Sequence, residues 1–418
     1  MISQFFFTYP PLVGLISFFI GWAAMPIVLK IAKAKHFVVK PNKRTSHKGE
    51  VPNIGGLDIF FSFMLTYMVF EYNHLQEYQF LLIGIFVIFL IGFVDDILDL
   101  TPLSKLLGEI LAGVAMIGFS DIRISHLHGF LGIGEINVYL SYALSFFVLI
   151  AIINALNLID GIDGLASGLG ILYSLFFAFY FYLIGQREWM LMACALVGSL
   201  SVFFIYNVSG KKNKIFMGDS GSLLLGFVIS CFVFHVCEIN AYHQVPEAFH
   251  MRATPAVMIC VLSVPLFDMA RVALTRIKHH KSPFLPDRNH IHHLLLSTGL
   301  NHLQTTCVLL AVSVLFIALA IVGRNWSIWL LLGADLLLCT LLTYILWRVV
   351  DKKNKERIER GEAPTDNTQP PAADFDDDIA HISDINANHG AKSEHRSANL
   401  STESEPAKQD KHINSRQL

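Results

Sequence analysis

Three groups of acidic side chains stand at the ends of long apolar runs. Asp95-Asp96-Ile-Leu-Asp99 follows the run 80–94, and Asn154-Ala-Leu-Asn157-Leu-Ile-Asp160-Gly-Ile-Asp163-Gly164 follows 142–153. Phe216-Met-Gly-Asp219-Ser-Gly-Ser222 precedes another. Charge at a membrane helix end is costly and marks an ion, a substrate or a proton path. Neighbouring carboxylates repel when both are ionised, so they call for a cation or a shared proton. Asp95 and Asp99 would share one face if the helix continued through them, and Lys105, one short loop later, offers a phosphate partner. Asn154 and Asn157 share a face within the end of a span, where an amide needs a partner. The glycines around Asp219 let backbone approach phosphate, and Phe216 offers a ring on which a base can stack. A fourth stretch, Pro286-Asp287-Arg288-Asn289-His290-Ile-His292-His293, matches no standard zinc spacing and better suits phosphate or sugar recognition. Each has a plainer counterpart: a solvated acidic helix end, a turn with capping aspartates, an N-capped loop, an inert polar loop. Together the four suggest one site for a hard cation and a phosphorylated substrate.

The elements that must carry these groups are membrane helices. Apolar residues make up 54% of the chain and charged residues 15%, a balance foreign to a soluble protein of this length. At roughly 20 residues per crossing, about eleven helices are expected, near 11–33, 56–71, 79–95, 105–120, 138–158, 165–185, 189–207, 220–238, 254–275, 304–323 and 326–348. The fold class is all-α, a polytopic helical membrane protein. Basic residues crowd the loops at 30–48, 208–219 and 276–303 and the stretch after the last span, whereas the alternate loops hold isolated Arg123, Arg187, Arg252 and Arg324. The positive-inside rule then puts the N-terminus outside, with the C-terminus and all the acidic groups on the cytoplasmic side. The six cysteines lie in apolar runs without paired spacing and read as packing residues. A net charge of −2 gives no sign of a nucleic-acid partner. Residues 1–350 form the membrane domain. Residues 351–418, charged and nearly free of aromatics, are expected to be a disordered cytoplasmic tail.

In their order along the chain, these segments resemble the polyprenyl-phosphate N-acetylhexosamine-1-phosphate transferases, membrane enzymes that move a sugar-1-phosphate from a UDP-sugar to a lipid phosphate. The resemblance also takes in Pro41-Asn-Lys-Arg44, His47-Lys48 and Pro52-Asn-Ile-Gly55-Gly56. The histidine loop and the span count are similar to the branch that uses UDP-GlcNAc and undecaprenyl phosphate, rather than the one that takes the UDP-muramoyl-pentapeptide. The resemblance implies a bacterial inner-membrane enzyme at the first membrane step of a cell-surface polysaccharide pathway. It implies Mg²⁺, for which Mn²⁺ substitutes, on Asn157 and Asp219, and catalysis at Asp95 and Asp96. Asp160, Asp163 and Phe216 would hold the nucleotide, Lys48 and Lys105 the phosphates, and Arg288, His290, His292 and His293 the sugar or pyrophosphate. Partners would be UDP-GlcNAc, undecaprenyl phosphate and the lipid bilayer, with a homodimer left open. The rivals are another UDP-HexNAc donor and, from a different class, a cation-coupled transporter, to which Glu109 and His235 inside spans would point.

Overall fold

The computed structural model describes residues 10–39, 51–210, 213–280 and 289–360. A chain in lipid must satisfy its own backbone hydrogen bonds, and this one does so with helices. They are α1 (Pro10–Lys35), α2 (Gly55–Phe70), α3 (Gln79–Leu98), α4 (Pro102–Gly113, continued by a π-helical turn to Phe119), α5 (Val138–Leu158), α6 (Leu165–Ile184), α7 (Arg187–Ser209) and α8 (Gly218–Ala241). Then come α9 (Thr254–Val261), α10 (Ser263–Lys278), α11 (Ile291–Ser297), α12 (His302–Gly323) and α13 (Ile328–Glu359). A two-stranded hairpin pairs Val38–Val39 with Val51–Pro52.

Local sequence sets several starts. Thr101 accepts a hydrogen bond from the Ser104 N–H with Pro102 in the first turn, Asn137 accepts from Leu140, and Ser327 accepts from Leu330. Asn301 and Gln304 form a reciprocal capping box at α12.

All eleven expected segments are helical, but two of them are not single helices long enough to cross on their own. Among the described residues nine helices are long and apolar enough to span a membrane. The segment expected at 254–275 is broken at Leu262 into α9 and α10, bent by 81°. In α2, 16 residues at about 1.5 Å each give only about 24 Å, short of the roughly 30 Å hydrocarbon core. The last helix runs to Glu359, so the domain boundary placed at 350 falls inside it. Lys355 pairs with Asp351 at 2.8 Å across one turn there, with Lys352 and Lys353 near Glu356, so a charged sequence continues the helix beyond its apolar part. Of the tail expected over 351–418, residues 361–418 lie outside the described residues.

The helix α8 is the centre of the bundle, 89% of its most apolar window being buried, with α2, α3, α5, α6 and α9 packed around it. Large apolar side chains such as Phe147, Phe179 and Leu337 face outward, as a protein solvated by lipid tails allows. Small residues let the helices close up. A Cβ on Gly198 of α7 would lie 2.1 Å from the Gly14 carbonyl oxygen of α1, and one on Gly56 would lie 2.2 Å from the Gly221 nitrogen of α8. Gly198→Ala is therefore expected to push α1 away and destabilise the bundle by about 1–3 kcal/mol, seen as a lower Tm of the detergent-solubilised protein. An unchanged Tm would show that α1 yields without cost.

Candidate active site

The packing brings one end of most helices together: the C-terminal ends of α3, α5 and α7 and the N-terminal ends of α4, α6, α8 and α12. The polar residues singled out by the sequence converge there. Asp95 and Asp96 lie in the last turn of α3, Lys105 in the first turns of α4, Asn157 in the last turn of α5 and Asp219 in the first turn of α8.

At the centre is one lysine between two carboxylates. Lys105 Nζ lies 2.7 Å from Asp95 Oδ2 and 2.8 Å from Asp219 Oδ2. The Asn157 amide donates to Asp219 Oδ1 and, at 2.8 Å, to Ser222 Oγ. Asp95 is buried, and its other oxygen accepts the Leu100 N–H at 2.7 Å. That last bond forms because α3 stops early: Asp99 takes a left-handed conformation with φ 48°, so it leaves the face it was expected to share with Asp95.

Asp96 has a different neighbourhood from its neighbour in sequence. Its oxygens accept the Asp219 N–H at 2.7 Å, the Ser220 N–H at 3.1 Å and the Ser220 hydroxyl at 2.6 Å, and the Asn53 amide also donates to it. It thus caps the start of α8 from another helix, satisfying N–H groups that a helix leaves unpaired and placing a negative charge at the positive end of the dipole. Gly218 makes this approach possible: its φ is +72°, and a Cβ there would sit 2.5 Å from Asp96 Oδ2.

The loop joining α5 to α6 supplies Asp160 and Asp163. Asp163 Oδ2 receives the Lys214 ammonium at 2.7 Å and the His302 Nδ1 at 2.9 Å, while its carbonyl accepts the Thr306 hydroxyl. Burial pushes this carboxyl up, but the hydrogen bonds from His302 and Lys214 outweigh burial and hold it below the usual carboxylate value. Lys214 also lies over the Phe216 ring, 5.5 Å from its centroid. Asp160 is the opposite case. No hydrogen bond or ion pair reaches its side chain among the described residues, and burial, then the charges of Asp219, Asp96 and Asp163, raise its pKa well above the ordinary value.

The histidine stretch is held by Asp268 and Arg271 of α10, residues that sequence reasoning passed over. Asp268 of α10 lies 2.9 Å from His290 Nδ1, accepts the Ile291 N–H at 3.0 Å and pairs with Arg271, which also donates to the Asn289 carbonyl. The His292 ring is nearly parallel to that of His290, 5.7 Å away, and 4.3 Å from that of His293. His292 packs on Gly161: a Cβ at Gly161 would come within 2.4 Å of its Nε2. Among the described residues both of its ring nitrogens are buried without a hydrogen-bond partner, and burial pushes its pKa down to about 3 from 6.5. A histidine neutral in the fold but protonated in the unfolded chain adds nothing above pH 6.5 and costs stability as pH falls from there toward 3. His292→Leu is therefore expected to flatten the fall of Tm between pH 7 and pH 5. An unaltered slope would mean that His292 keeps its proton in the folded protein.

Lys48 and Arg288 lie outside the described residues. Of the other residues singled out, Lys105 touches Asp95 and Asp219, Asn157 touches Asp219, Asp96 holds the start of α8, Asp160, Asp163 and Phe216 lie in adjoining loops, and His290, His292 and His293 lie at the start of α11. Lys214, His302, Asp268 and Arg271 were missed as site residues. Lys214 read as a topological charge, and the other three lay outside the motifs, with no local signal to mark them.

Glu109 and His235, the in-span residues that would favour a transporter, are both accounted for by packing. Glu109 accepts the Asn154 amide at 2.9 Å beside the acidic site. His235 stacks on Trp189 at 4.0 Å toward the opposite end of the bundle. At that opposite end Glu71, His74 and Glu188 also gather, with Arg187 paired to Glu71, so the cluster already holds a cation of its own.

Fold and site together define a multi-pass membrane protein whose helix ends assemble carboxylates, an amide and a lysine suited to phosphate chemistry. The glycosyl transferase family 4 model matches residues 78–236. An undecaprenyl-phosphate alpha-N-acetylglucosaminyl 1-phosphate transferase of Haemophilus influenzae is 30% identical over 354 residues, covering 82% of this chain and 97% of that one. Proteins of the same description from Yersinia pestis and Escherichia coli strain K12 are each 27% identical, over 94% and 92% of their lengths. The chain belongs to glycosyl transferase family 4, and it is a membrane-embedded phosphotransferase.

Proposed function

We propose that the protein transfers GlcNAc-1-phosphate from UDP-GlcNAc to undecaprenyl phosphate, giving undecaprenyl-diphospho-GlcNAc and UMP. The observation that carries this reading is the Lys105 ammonium set between Asp95 and Asp219 at the meeting of α3, α4 and α8. The lipid phosphate attacks the β-phosphorus of the donor; a new P–O bond forms as the bond to the UMP oxygen breaks, and UMP leaves with the electron pair. Asp95, paired with Lys105, is placed to take any proton left on the attacking phosphate. Lys105 offsets the charge that builds on the phosphates. Asp163, Lys214, His302 and Phe216 make a polar wall with an aromatic face beside the centre, suited to the uridine. His290 and His292 would take the sugar and pyrophosphate, together with Arg288, which lies outside the described residues. Asp96 acts through the fold by fixing the start of α8.

The donor set fits a hard divalent cation. Asp219 and the Asn157 amide oxygen are both oxygen ligands, and Mg²⁺ takes a few such oxygens together with substrate phosphate. When bound there, Mg²⁺ would neutralise charge on the departing nucleotide. The charge bias of the loops supports placing this end of the bundle at the cytoplasmic face of a bacterial inner membrane, with the N-terminus outside.

The test is to incubate the purified protein with undecaprenyl phosphate, Mg²⁺ and a panel of UDP-sugars and to measure UMP. Release is expected with UDP-GlcNAc above all. Greater release with another UDP-HexNAc would correct the donor, and none with any amino sugar would overturn the reading. A phospho-enzyme trapped from UDP-GlcNAc without lipid acceptor would replace direct attack by a two-step route.

A further inference from the structure

Both oxygens of Asp219 already have donors from within the chain. Asn157 donates to Oδ1, and the Lys105 ammonium sits 2.8 Å from Oδ2. A divalent cation bound through Asp219 would lie about 2.0–2.1 Å from a carboxylate oxygen. Lys105 held at its present distance from Oδ2 would then face that cation at close range, where like charges repel strongly. The lysine has somewhere to go. It is already 2.7 Å from Asp95 Oδ2, so leaving Asp219 does not leave it unpaired. Its flexible stem rises from the first turns of α4, and its side chain is 22% exposed, so the ammonium can move without repacking the core.

We propose that Lys105 and the divalent cation compete for Asp219, so that this lysine weakens metal binding until a phosphorylated ligand offers it another anionic partner. This rests on the metal assignment made above. Metal and nucleotide then bind cooperatively, because each relieves the repulsion that opposes the other. By linkage the effect is reciprocal: the nucleotide tightens the metal by the factor with which the metal tightens the nucleotide. A lysine that only steadied the helix ends, or only contacted phosphate, would not oppose the metal in the absence of substrate.

Competition is tested with the full chain in detergent, without substrates, by titrating Mn²⁺ and following the free ion by electron paramagnetic resonance. The proteins are the wild type, Lys105→Met, Lys105→Gln, Lys214→Met and Asp219→Asn. Met keeps the aliphatic stem and Gln keeps a hydrogen-bond donor, so either Lys105 variant that retains the wild-type elution profile serves. Lys214→Met removes the same charge from the Asp163 pair nearby and reports the general effect of net charge. The Lys105 variants are expected to bind Mn²⁺ at least about tenfold more tightly than the wild type, and Lys214→Met only slightly so. Added UDP is expected to tighten Mn²⁺ binding by a larger factor in the wild type than in the Lys105 variants. Equal or weaker binding in the Lys105 variants would overturn the competition and leave the transferase reading standing, as would a gain in Lys214→Met as large as theirs. Mn²⁺ affinity indifferent to Asp219→Asn would remove the metal from this carboxylate, and the competition with it.

Discussion

Asp219→Asn is expected to lower turnover by at least about a hundredfold, the scale seen when one strong electrostatic contact to a transition state is lost. The substitution keeps size and one oxygen but removes the charge that Lys105 and Asn157 now share. An amide oxygen is a poorer ligand for a hard cation than a carboxylate, so raised Mg²⁺ or added Mn²⁺ is expected to restore part of the rate. The fold is expected to hold, because the residue is in the first turn of α8 while the start of that helix is capped by Asp96. The measurement is UMP release against metal concentration. Near-normal turnover at low Mg²⁺ would take Asp219 out of the site and the metal assignment with it.

The second large effect separates the two neighbouring aspartates. Asp95→Asn is expected to cost turnover by about a hundredfold or more with little change in Tm, since an amide oxygen can still accept the Leu100 N–H but cannot take a proton or hold Lys105 as an ion pair. Asp96→Asn is expected to act first on stability. An amide turns N–H groups toward the donors of Asp219 and Ser220, which now bind both carboxylate oxygens, and loss of a helix cap costs about 0.5–2 kcal/mol. Turnover of the two variants and their Tm values, measured side by side, decide the matter. If Asp96→Asn keeps its Tm and loses all activity, the capping role is wrong and Asp96 is itself the proton acceptor.

Asp163 gives an acid-side counterpart. Its carboxyl is held below the ordinary value, so its contribution to stability is complete above about pH 4 and lost as pH falls further. In Asp163→Asn that portion of the acid loss is expected to disappear from a Tm-versus-pH curve. Persistence of the full loss would assign it to other carboxylates.

Much of this was legible in the sequence because its signals are local. A run of apolar residues long enough to cross a bilayer specifies a helix wherever it lies, which is why all eleven segments were placed. The break at Leu262 and the continuation of α13 to Glu359 depend on packing and on charge pairs rather than on hydropathy, and they were not placed. The same division holds in the site. Residues whose type is out of place at a helix end, such as Asp95, Asn157 and Asp219, announced themselves. What each one does was decided by partners far along the chain: Lys105 reaches Asp219 across 114 positions, and His302 reaches Asp163 across 139. Asp95 and Asp96 look alike in sequence, yet successive positions on a helix point about 100° apart, so one meets a lysine and the other the open end of α8. Sequence alone determined the membrane helices and singled out the polar residues that stand at their ends. Only the tertiary structure could divide the tasks among them, because a hydrogen bond needs two helix ends within about 3 Å, and that coincidence is made by the packing of the whole bundle.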